Sequence, residues 1–534
     1  MDILIKDGLV VDGTGRPAFP ADVVVRGDRI ADIVAPGAAN GDGMRVIDAA
    51  GCLVTPGFVD AHAHSDAYLV VEPDAPSKLA QGVTTEINGQ CGGSVAPRYG
   101  EARLSSDWAA VLGERLAWRS LAEYRRALDA AKPAINTVQF VGHNTLRSSV
   151  VGYAGRAATP DELSRMSRLL EESLDAGGWG LTTGLIYQPG KYSTPGEVVA
   201  LAKVAAARGG YYATHMRSEG DRIIEAIDEV LDLVRATGVR AEISHLKTSG
   251  ARNWHKIDAV LEKIERAVDD GLLLGSDRYP YCAAGTDLDI VLPDWAQEGA
   301  AKAEMERLAD PVTRQRIVDE INASDRDWST VMVGGTWSTE NKQYSGRMIA
   351  EILRQGAKDV AAASSRVSSL SSDPGSLVCR ILERDGCKTG AFFFGMSEEN
   401  LARIYSRPWI VPGSDASLRA PWGPLGEDHP HPRAYSTMPE FYRRVRALGF
   451  SREETVARMT SVPARRFELR GRGVLEKGAF ADVVVWSESE FRGTATYVEP
   501  HQFASGVKCV VVNGTVPYIE GRFTGERGGR FLER

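Results

Sequence analysis

The feature that most constrains this chain is a regular alternation of helical and extended patterns through its middle. Residues 161–176 carry leucine and methionine at helical spacing, and Gly177-Gly178 ends that run before an extended stretch at residues 179–185. The cycle of helix and strand then recurs three times before Tyr279. Because the links are short, this pattern favours parallel strands joined by crossover helices.

Eight candidate strands of this kind can be counted along the chain. They end near His62, Cys91, His143, Tyr187, His215, His245, Tyr279 and Asp415. Eight parallel strands with intervening helices predict an α/β fold, a (β/α)8 TIM-like barrel, and 534 residues leave room for further modules. The connection between strands 7 and 8 is much longer than the others, which predicts an inserted subdomain over the barrel mouth.

The two ends of the chain differ from this central pattern. Residues 1–53 and 468–534 consist of strand-like runs separated by turn signals, such as Asn513-Gly514. Neither end is large enough to build a core alone, so we predict that both ends form one small β-sandwich. The barrel would then span residues 54–467, with an insertion at about 285–345 or longer.

Charge and composition argue against several classes of partner. The net charge is −8 and the two signs are interspersed, so we expect no nucleic acid and no anionic membrane as partner. No apolar run approaches the ~20 residues that cross a bilayer, and the first residues lack the features of a signal peptide. Six scattered cysteines are typical of free thiols. We therefore expect a cytoplasmic protein, and the sequence leaves open whether it forms a homo-oligomer.

Residue types that bind metal ions recur at the carboxyl ends of the predicted strands. His62 and His64 stand two residues apart, so the period of a strand points both imidazoles the same way. The other candidates follow one per strand end, in the order Cys91, His215, His245 and Asp415. Because strand ends converge at the mouth of a barrel, these residues predict one shared metal site.

Each of these residues also has an ordinary structural explanation. A strand-end histidine is more often a hydrogen-bonded core residue, an isolated cysteine is usually a small buried apolar side chain, and an aspartate often caps a helix. The joint occurrence of all of them, one per strand end, favours the metal site over these separate explanations.

Several segments of the chain resemble the amidohydrolase superfamily. The run at residues 54–64, Val-Thr-Pro-Gly-Phe-Val-Asp-Ala-His-Ala-His, is similar to its opening signature. Within that superfamily nearly the whole chain resembles the N-acyl-D-amino-acid deacylase (D-aminoacylase) family. The matching pieces include Gly89-Gln90-Cys91-Gly92, Ser244-His245-Leu246-Lys247, Tyr279-Pro280-Tyr281, Gly413-Ser414-Asp415 and His431-Pro432-Arg433.

The resemblance implies a zinc-dependent hydrolase that cleaves the amide bond of N-acyl-D-amino acids. Related hydantoinases bridge two metals with a carboxylated lysine on strand 4, where this chain has Thr182, Thr183 and Gly184. The tight zinc site is then expected at Cys91, His215 and His245. His62 and His64 would form a weaker second site or only an outer contact.

The same resemblance implies roles in catalysis and substrate binding. Asp415 is expected to act as general base toward a metal-activated water and then as acid toward the leaving nitrogen. The residues expected to bind the substrate are Arg433, Lys247 and Tyr279 for its α-carboxylate, with His143 in the wall of the site. Without the resemblance, a surface ion pair, a solvated lysine and a core aromatic would explain the first three.

Two other functions compete with this interpretation. Hydrolysis of a cyclic amide would use the same barrel, but the missing strand-4 lysine speaks against it. A non-catalytic barrel scaffold is the other alternative, and the full set of candidate ligands speaks against that. The expected partner is a small molecule, an N-acyl amino acid or a related amide.

Overall fold

The computed structural model describes residues 2–104, 106–113, 116–362 and 373–534. The strands in these residues are β1 (Ile3–Val10), β2 (Phe19–Arg26), β3 (Arg29–Val34), β4 (Arg45–Asp48), β5 (Leu53–Pro56), β6 (Phe58–Asp60), β7 (Val83–Asn88), β8 (Asn136–Gln139), β9 (Val141–Gly142), β10 (Gly180–Gly184), β11 (Tyr211–His215), β12 (Arg240–Ile243), β13 (Leu274–Arg278), β14 (Ala284–Asp287), β15 (Val331–Val333), β16 (Gly390–Phe393), β17 (Ile410–Pro412), β18 (Val483–Trp486), β19 (Val507–Val512), β20 (Thr515–Ile519) and β21 (Arg522–Phe523).

The helices are α1 (Tyr68–Val71), α2 (Pro76–Leu79), α3 (Ser106–Leu112), α4 (Leu121–Ala131), α5 (His143–Val150), α6 (Pro160–Asp175), α7 (Pro195–Ala207), α8 (Ile223–Thr237), α9 (Ile257–Asp269), α10 (Asp294–Gln297), α11 (Ala300–Ala309), α12 (Pro311–Ala323), α13 (Ile349–Ala362), α14 (Pro374–Asp385), α15 (Glu398–Tyr405), α16 (Arg433–Ala447), α17 (Arg452–Met459) and α18 (Ser461–Arg466). Among the described residues, no helix combines the length and the apolar character that crossing a bilayer requires.

The centre of the molecule is a closed barrel of parallel strands. One run of pairing joins β6, β7 and β8, and a second joins β9, β10, β11, β12, β13 and β17. The amide of Trp179 donates to the carbonyl of Gln139 (2.9 Å), and that of Ala61 donates to Pro412 (3.1 Å), which connects the two runs at both edges. Since β8 and β9 are one strand interrupted at Phe140, the barrel has the eight strands that the sequence predicts.

The crossover helices begin and end where their sequences favour it. Before α6, the Thr159 side chain accepts from the amide of Glu162 while the Glu162 side chain accepts from the amide of Thr159. Helix α8 ends at Gly238, whose φ of 66° is readily adopted by glycine. Along α8, Ile227 and Val234 lie on one buried face, so the helix packs against the strands with its apolar side.

Strands from both ends of the chain join in one nine-stranded sheet. Its order is β21-β20-β19-β18-β5-β1-β2-β3, with β4 paired to β1. The N-terminal strand β5 pairs with β1 on one side and with the C-terminal strand β18 on the other, so the two ends depend on each other. Pairing of the ends was predicted; the sandwich arrangement and the predicted domain limits stay predictions.

The long connection between β13 and β17 has its own sheet and core. Strands β14, β16 and β15 form an antiparallel sheet, and helices α10 to α14 lie in the same connection. A separate apolar cluster includes Leu288, Ile317, Val333, Leu377 and Ala391. The described part of this inserted subdomain therefore extends well beyond residue 345, in agreement with a large insertion.

A buried ion cluster holds the junction between the last and the first barrel strands. The Lys78 ammonium lies 2.8 Å from Asp60 Oδ2 and 2.8 Å from Glu86 Oε1, and all three side chains are at most 1 % exposed. Lys78 also donates to Ser414 Oγ (3.0 Å), just after β17. One cation therefore pairs with two carboxylates and ties the ends of β6, β7 and β17 together.

Replacing Lys78 with Met should lower the free energy of unfolding by about 3–5 kcal/mol, because two buried carboxylates lose their cation. Thermal and denaturant unfolding followed by circular dichroism measure the change. Lys477, 73 % exposed and 3.7 Å from Asp32, provides the matched control. Lys477→Met should cost at most about 1 kcal/mol. Equal stability of Lys78→Met and wild type would contradict the importance of this cluster.

Candidate metal centre

A cavity of about 410 Å³ lies at the carboxyl ends of the barrel strands. Four of the residues predicted from the sequence contribute to its wall: His64, Cys91, Asp415 and Arg433. Part of the opposite wall comes from the inserted subdomain, including Gly285 on β14 and Phe392 on β16. The cavity thus lies between the barrel and the insertion.

Cys91 lies at the centre of a compact group of metal-binding side chains. Its Sγ is 3.3 Å from His62 Nε2 and 3.4 Å from His245 Nε2. One ligand atom from each of His62, Cys91, His245 and Asp415 can be chosen so that all lie within 4.8 Å of one another. A thiolate, two imidazoles and a carboxylate are donors that suit zinc.

Buried carboxylates lie behind two of these imidazoles. His62 Nδ1 is 3.2 Å from Asp277 Oδ2, and His245 Nδ1 is 3.0 Å from Glu219 Oε1. A proton on Nδ1 of His62 satisfies its contact and leaves the Nε2 lone pair directed toward Cys91, whereas His245 Nδ1 faces both Glu219 and the Lys247 ammonium (2.7 Å). Metal-ligating histidines commonly have this arrangement, in which the second nitrogen donates to a carboxylate.

His215 belongs to a second group that overlaps the first. His215, Glu219 and His245 offer ligand atoms within 4.8 Å of one another, and the rings of the two histidines are 4.5 Å apart. His215 Nε2 is 3.5 Å from Glu219 Oε2, and neither ring nitrogen has a hydrogen-bond partner among the described residues. The two groups of ligands in the structure thus share His245 and lie side by side. Which histidine serves which position stays a prediction.

The surroundings of Cys91 favour its thiolate. Burial alone would raise its pKa, but the nearby imidazoles of His62 and His245 outweigh burial and hold the pKa well below the usual value. All six cysteines lie in the described part of the chain, and burial raises the pKa of the other five: Cys52, Cys282, Cys379, Cys387 and Cys509. A lowered thiol pKa is expected of a metal-binding cysteine, and it separates Cys91 from the other five cysteines.

Asp415 is surrounded by positively charged and N–H groups. Its Oδ1 is 3.1 Å from His64 Nε2 and 3.4 Å from His62 Nε2, and its Oδ2 is 2.8 Å from Arg433 Nη1. Burial would raise the pKa of Asp415, but Arg433, His245 and the two other histidines hold it well below its usual range. The carboxylate is therefore ionised and can accept a proton.

Three of the site residues have backbones in the left-handed region. The φ angles are 52° at Cys91, 38° at His245 and 50° at Asp415. Residues with a side chain adopt this region at a cost, and such strain is concentrated at functional sites. At these three strand ends the chain turns sharply, and the turn directs the side chains toward a common point.

The loop that carries Cys91 fills the space at the end of strand β10. A Cβ atom at Gly184 would lie 2.1 Å from the carbonyl oxygen of Cys91, and one at Gly92 would lie 2.5 Å from the amide of Gly184. The neighbouring Thr182 hydroxyl donates to the carbonyl of Gly89 (2.5 Å) in the same loop. A strand-4 lysine would collide with this loop, so the cysteine and the lysine arrangements exclude each other here.

Arg433 and Lys247, two of the three residues predicted to bind the substrate's α-carboxylate, lie close to the third, Tyr279. Arg433 lies 4.7 Å and Lys247 5.7 Å from the Tyr279 ring, and the buried Tyr279 hydroxyl has no hydrogen-bond partner among the described residues. Burial raises the pKa of Tyr279, but Lys247, Arg278 and Arg433 outweigh this effect and lower it. The Lys247 ammonium contacts Glu219 and lies 2.7 Å from His245 Nδ1, so it is buried beside the centre rather than solvated.

The side chain of His143 contacts a carboxylate outside the two groups of metal-binding side chains. It is the first residue of α5, and its Nε2 lies 2.9 Å from Glu197 Oε1, a carboxylate that Arg147 also binds at 2.6 Å. His143 is not among the residues that line the cavity described above. Its predicted part in the wall of the site stays a prediction.

Two residues close to the site were not predicted from the sequence. Glu219 follows His215 by four residues within a segment that resembles the deacylases. Asp277 lies within the strand β13, two residues before Tyr279. An acidic residue in a buried strand is the signal that marks Asp277. For Glu219, proximity to His215 in the sequence is the only such signal.

Replacing Cys91 with Ser should lower zinc affinity by about 100-fold or more, since a neutral hydroxyl replaces a thiolate ligand. Metal analysis after dialysis against a chelator measures the loss. Cys282→Ser is the matched control, because burial raises the pKa of that thiol to about 11 and it lies outside both groups of ligands. A Cys91→Ser protein that retains zinc as firmly as the control would exclude Cys91 as a ligand.

Comparisons with known proteins agree with this geometry. Residues 45–518 match the amidohydrolase family. The chain is 34 % identical over its whole length to an N-acyl-D-glutamate deacylase from Alcaligenes xylosoxydans xylosoxydans, covering 97 % of that protein.

The chain also superposes over its whole length on two solved structures, with TM-scores of 0.82. One is a D-aminoacylase with a binuclear metal centre, activated by one metal and attenuated by the second (32 % identity, 99 % covered). The other is an N-acyl-D-glutamate deacylase from Bordetella bronchiseptica in complex with zinc and a phosphonate mimic of the tetrahedral intermediate (33 % identity, 100 % covered). The chain therefore belongs to the amidohydrolase family, in its group of N-acyl-D-amino-acid deacylases.

Proposed function

We propose that this protein is a zinc-dependent hydrolase that cleaves N-acyl-D-amino acids into a carboxylate and a free D-amino acid. One observation carries the proposal: a thiolate-favouring cysteine, two imidazoles and an ionised aspartate meet at one cavity, with an arginine on the aspartate. The preference for D-amino acids is taken from the relatives, whose names specify that substrate class.

The donors fit one tightly bound zinc and a second, weaker position. Cys91 with His215 and His245 is assigned to the tight position, and His62 with His64 to the weaker one. The binuclear centre of the D-aminoacylase relative supports two positions. When bound, zinc would make a water molecule more acidic and polarise the acyl carbonyl of the substrate.

Asp415 is assigned the proton transfers. As an ionised carboxylate it takes a proton from the attacking water on Oδ1, the oxygen that faces His62 and His64. The same proton then passes to the nitrogen of the leaving amino acid, because an amine leaves far more readily than an amide anion. Arg433 binds the other oxygen of Asp415 and so keeps Oδ1 directed toward the imidazoles.

Lys247, Tyr279 and Arg433 are assigned to the substrate's α-carboxylate. Two cations and a hydroxyl without a partner in the described structure provide the charge and the hydrogen-bond donor that a carboxylate needs. Binding this group beside Asp415 would place the neighbouring amide nitrogen close to the proton that Asp415 carries.

A combined measurement of zinc content and product release tests the proposal. Purified protein is analysed for metal and assayed with N-acetyl-D-amino acids, the matching L-amino acid derivatives and a hydantoin. Bound zinc with release from D substrates is the expected result. Zinc with activity only on the hydantoin would favour the cyclic-amide alternative, and absence of both zinc and hydrolysis would favour a non-catalytic barrel.

Replacing Asp415 with Asn should lower turnover by about 10²- to 10⁴-fold, because the amide cannot accept the proton. Zinc content should stay close to that of wild type, since the tight position is assigned to other residues. Steady-state kinetics and metal analysis on the same preparation separate the two effects. Turnover near the wild-type rate would refute the role of Asp415.

Replacing Arg433 with Lys should raise KM for N-acetyl-D-amino acids about 10-fold or more. The ammonium keeps the charge but loses the two-pronged contact, and one charge-assisted hydrogen bond contributes about 1.5 kcal/mol. Initial rates over a range of substrate concentrations provide KM. Arg316→Lys, on the exposed face of α12, is the matched control and should leave KM unchanged. An unchanged KM for Arg433→Lys would contradict its assignment.

A further inference from the structure

Asp277 contacts both histidines that face Cys91. Its side chain, on β13, is buried. One oxygen, Oδ2, lies 3.2 Å from His62 Nδ1, and the other, Oδ1, accepts from the backbone amide of His245 (3.0 Å). A single carboxylate on strand 7 therefore contacts the ends of strands 1 and 6.

The opposite side of this carboxylate is closed by strand 8. A Cβ atom at Gly413 would lie 2.6 Å from Asp277 Oδ1 and 2.6 Å from the Cβ of His62. Glycine at this position is what allows the aspartate and the histidine to approach. The contact is thus buried and closed on this side by the backbone of Gly413.

The two oxygens have different consequences for the ligands. The contact from Oδ1 fixes the backbone of His245 in its left-handed turn, whereas the contact to Oδ2 fixes the proton of the His62 ring on Nδ1. With the proton on Nδ1, the lone pair on Nε2 faces Cys91 Sγ and is available to a metal. The orientation of two candidate ligands thus depends on one residue that lies outside both groups of ligands.

We propose that Asp277 is a positioning residue that sets the zinc affinity of the weaker position by holding His62 in its metal-binding tautomer. This inference rests on the zinc site proposed above. Partners of this kind behind metal-ligating histidines typically contribute about 10- to 100-fold to affinity. Asp277 therefore acts through His62, and its effect appears first in metal binding.

Asp277→Asn separates this role from a general structural one. The amide oxygen can still accept from the amide of His245, but the NH2 group then faces His62 Nδ1. Two N–H groups cannot satisfy each other, so His62 is driven to carry its proton on Nε2, where it blocks metal binding. The substitution changes neither the length nor the shape of the side chain.

The experiment is a zinc titration in competition with a chelator, on full-length wild type, Asp277→Asn and a control. The control is Glu242→Gln on the neighbouring strand, a buried carboxylate bound by Arg466 (2.8 Å) rather than by a histidine ligand. Asp277→Asn should weaken zinc binding at the weaker position about 10- to 100-fold, and Glu242→Gln should not. In cobalt-substituted protein, the absorption bands of Asp277→Asn should report a changed coordination geometry with the thiolate band of Cys91 retained.

A double variant tests whether the effect passes through His62. In a His62→Ala background, Asp277→Asn should cause no further loss of zinc affinity, because the ring that it orients is gone. An equal loss in both backgrounds would mean a general structural role and would overturn the proposal. So would wild-type zinc affinity in folded Asp277→Asn.

A second single variant covers the case in which Asp277→Asn does not fold. Gly413→Ala keeps both side chains but forces the aspartate and His62 apart, and it should also weaken zinc binding. Unchanged affinity in that variant would overturn the proposal. Failure of the wild type to bind zinc would instead refute the proposed function, so the two failures are distinguishable.

Discussion

Pairing of buried charge beneath the barrel mouth is the constraint on which the rest of the site depends. Carboxylates at the strand ends are out of contact with water, and an unpaired buried charge costs several kcal/mol. Each is satisfied by a group from a different segment of the chain: Asp60 by Lys78 on α2, Asp277 by His62 and Glu219 by Lys247. Satisfying these charges brings the strand ends into one arrangement, and the imidazoles are oriented as part of it.

The same pairs stabilise a strained backbone. Cys91, His245 and Asp415 lie in the left-handed region, which is unfavourable for residues with a side chain. The strain at His245 is held by its hydrogen bond to Asp277, and that at Asp415 by the bond from its amide to the carbonyl of His62. Strain and charge pairing are therefore coupled: the turns direct the ligands inward, and the ligands' partners keep the turns from relaxing.

Most of the fold and the identity of the candidate ligands could be predicted because both follow from local patterns. Periodicity reveals each strand and helix, and residues at strand ends must converge in a barrel. Distances between side chains do not follow from the pattern, so the close approach of His62 to Cys91 and the roles of Glu219 and Asp277 were not predicted. His143 directly follows the end of β9, as its predicted strand end requires, and it also begins α5, where pairing with Glu197 decides its orientation.

The inserted subdomain constrains the site in a second way, which depends less on the charge pairs beneath the barrel mouth. It has its own apolar core, so its sequence can change without disturbing the charge pairs beneath the barrel mouth. Yet it contributes Gly285 and Phe392 to the cavity, and the carbonyl of Gly285 accepts from Arg433 (3.3 Å). Arg433 thus connects Asp415, the residue to which we assign the proton transfers, to the cavity wall that the insertion supplies. Through this one side chain, the insertion is in contact with the group proposed to react, even though its own core is separate.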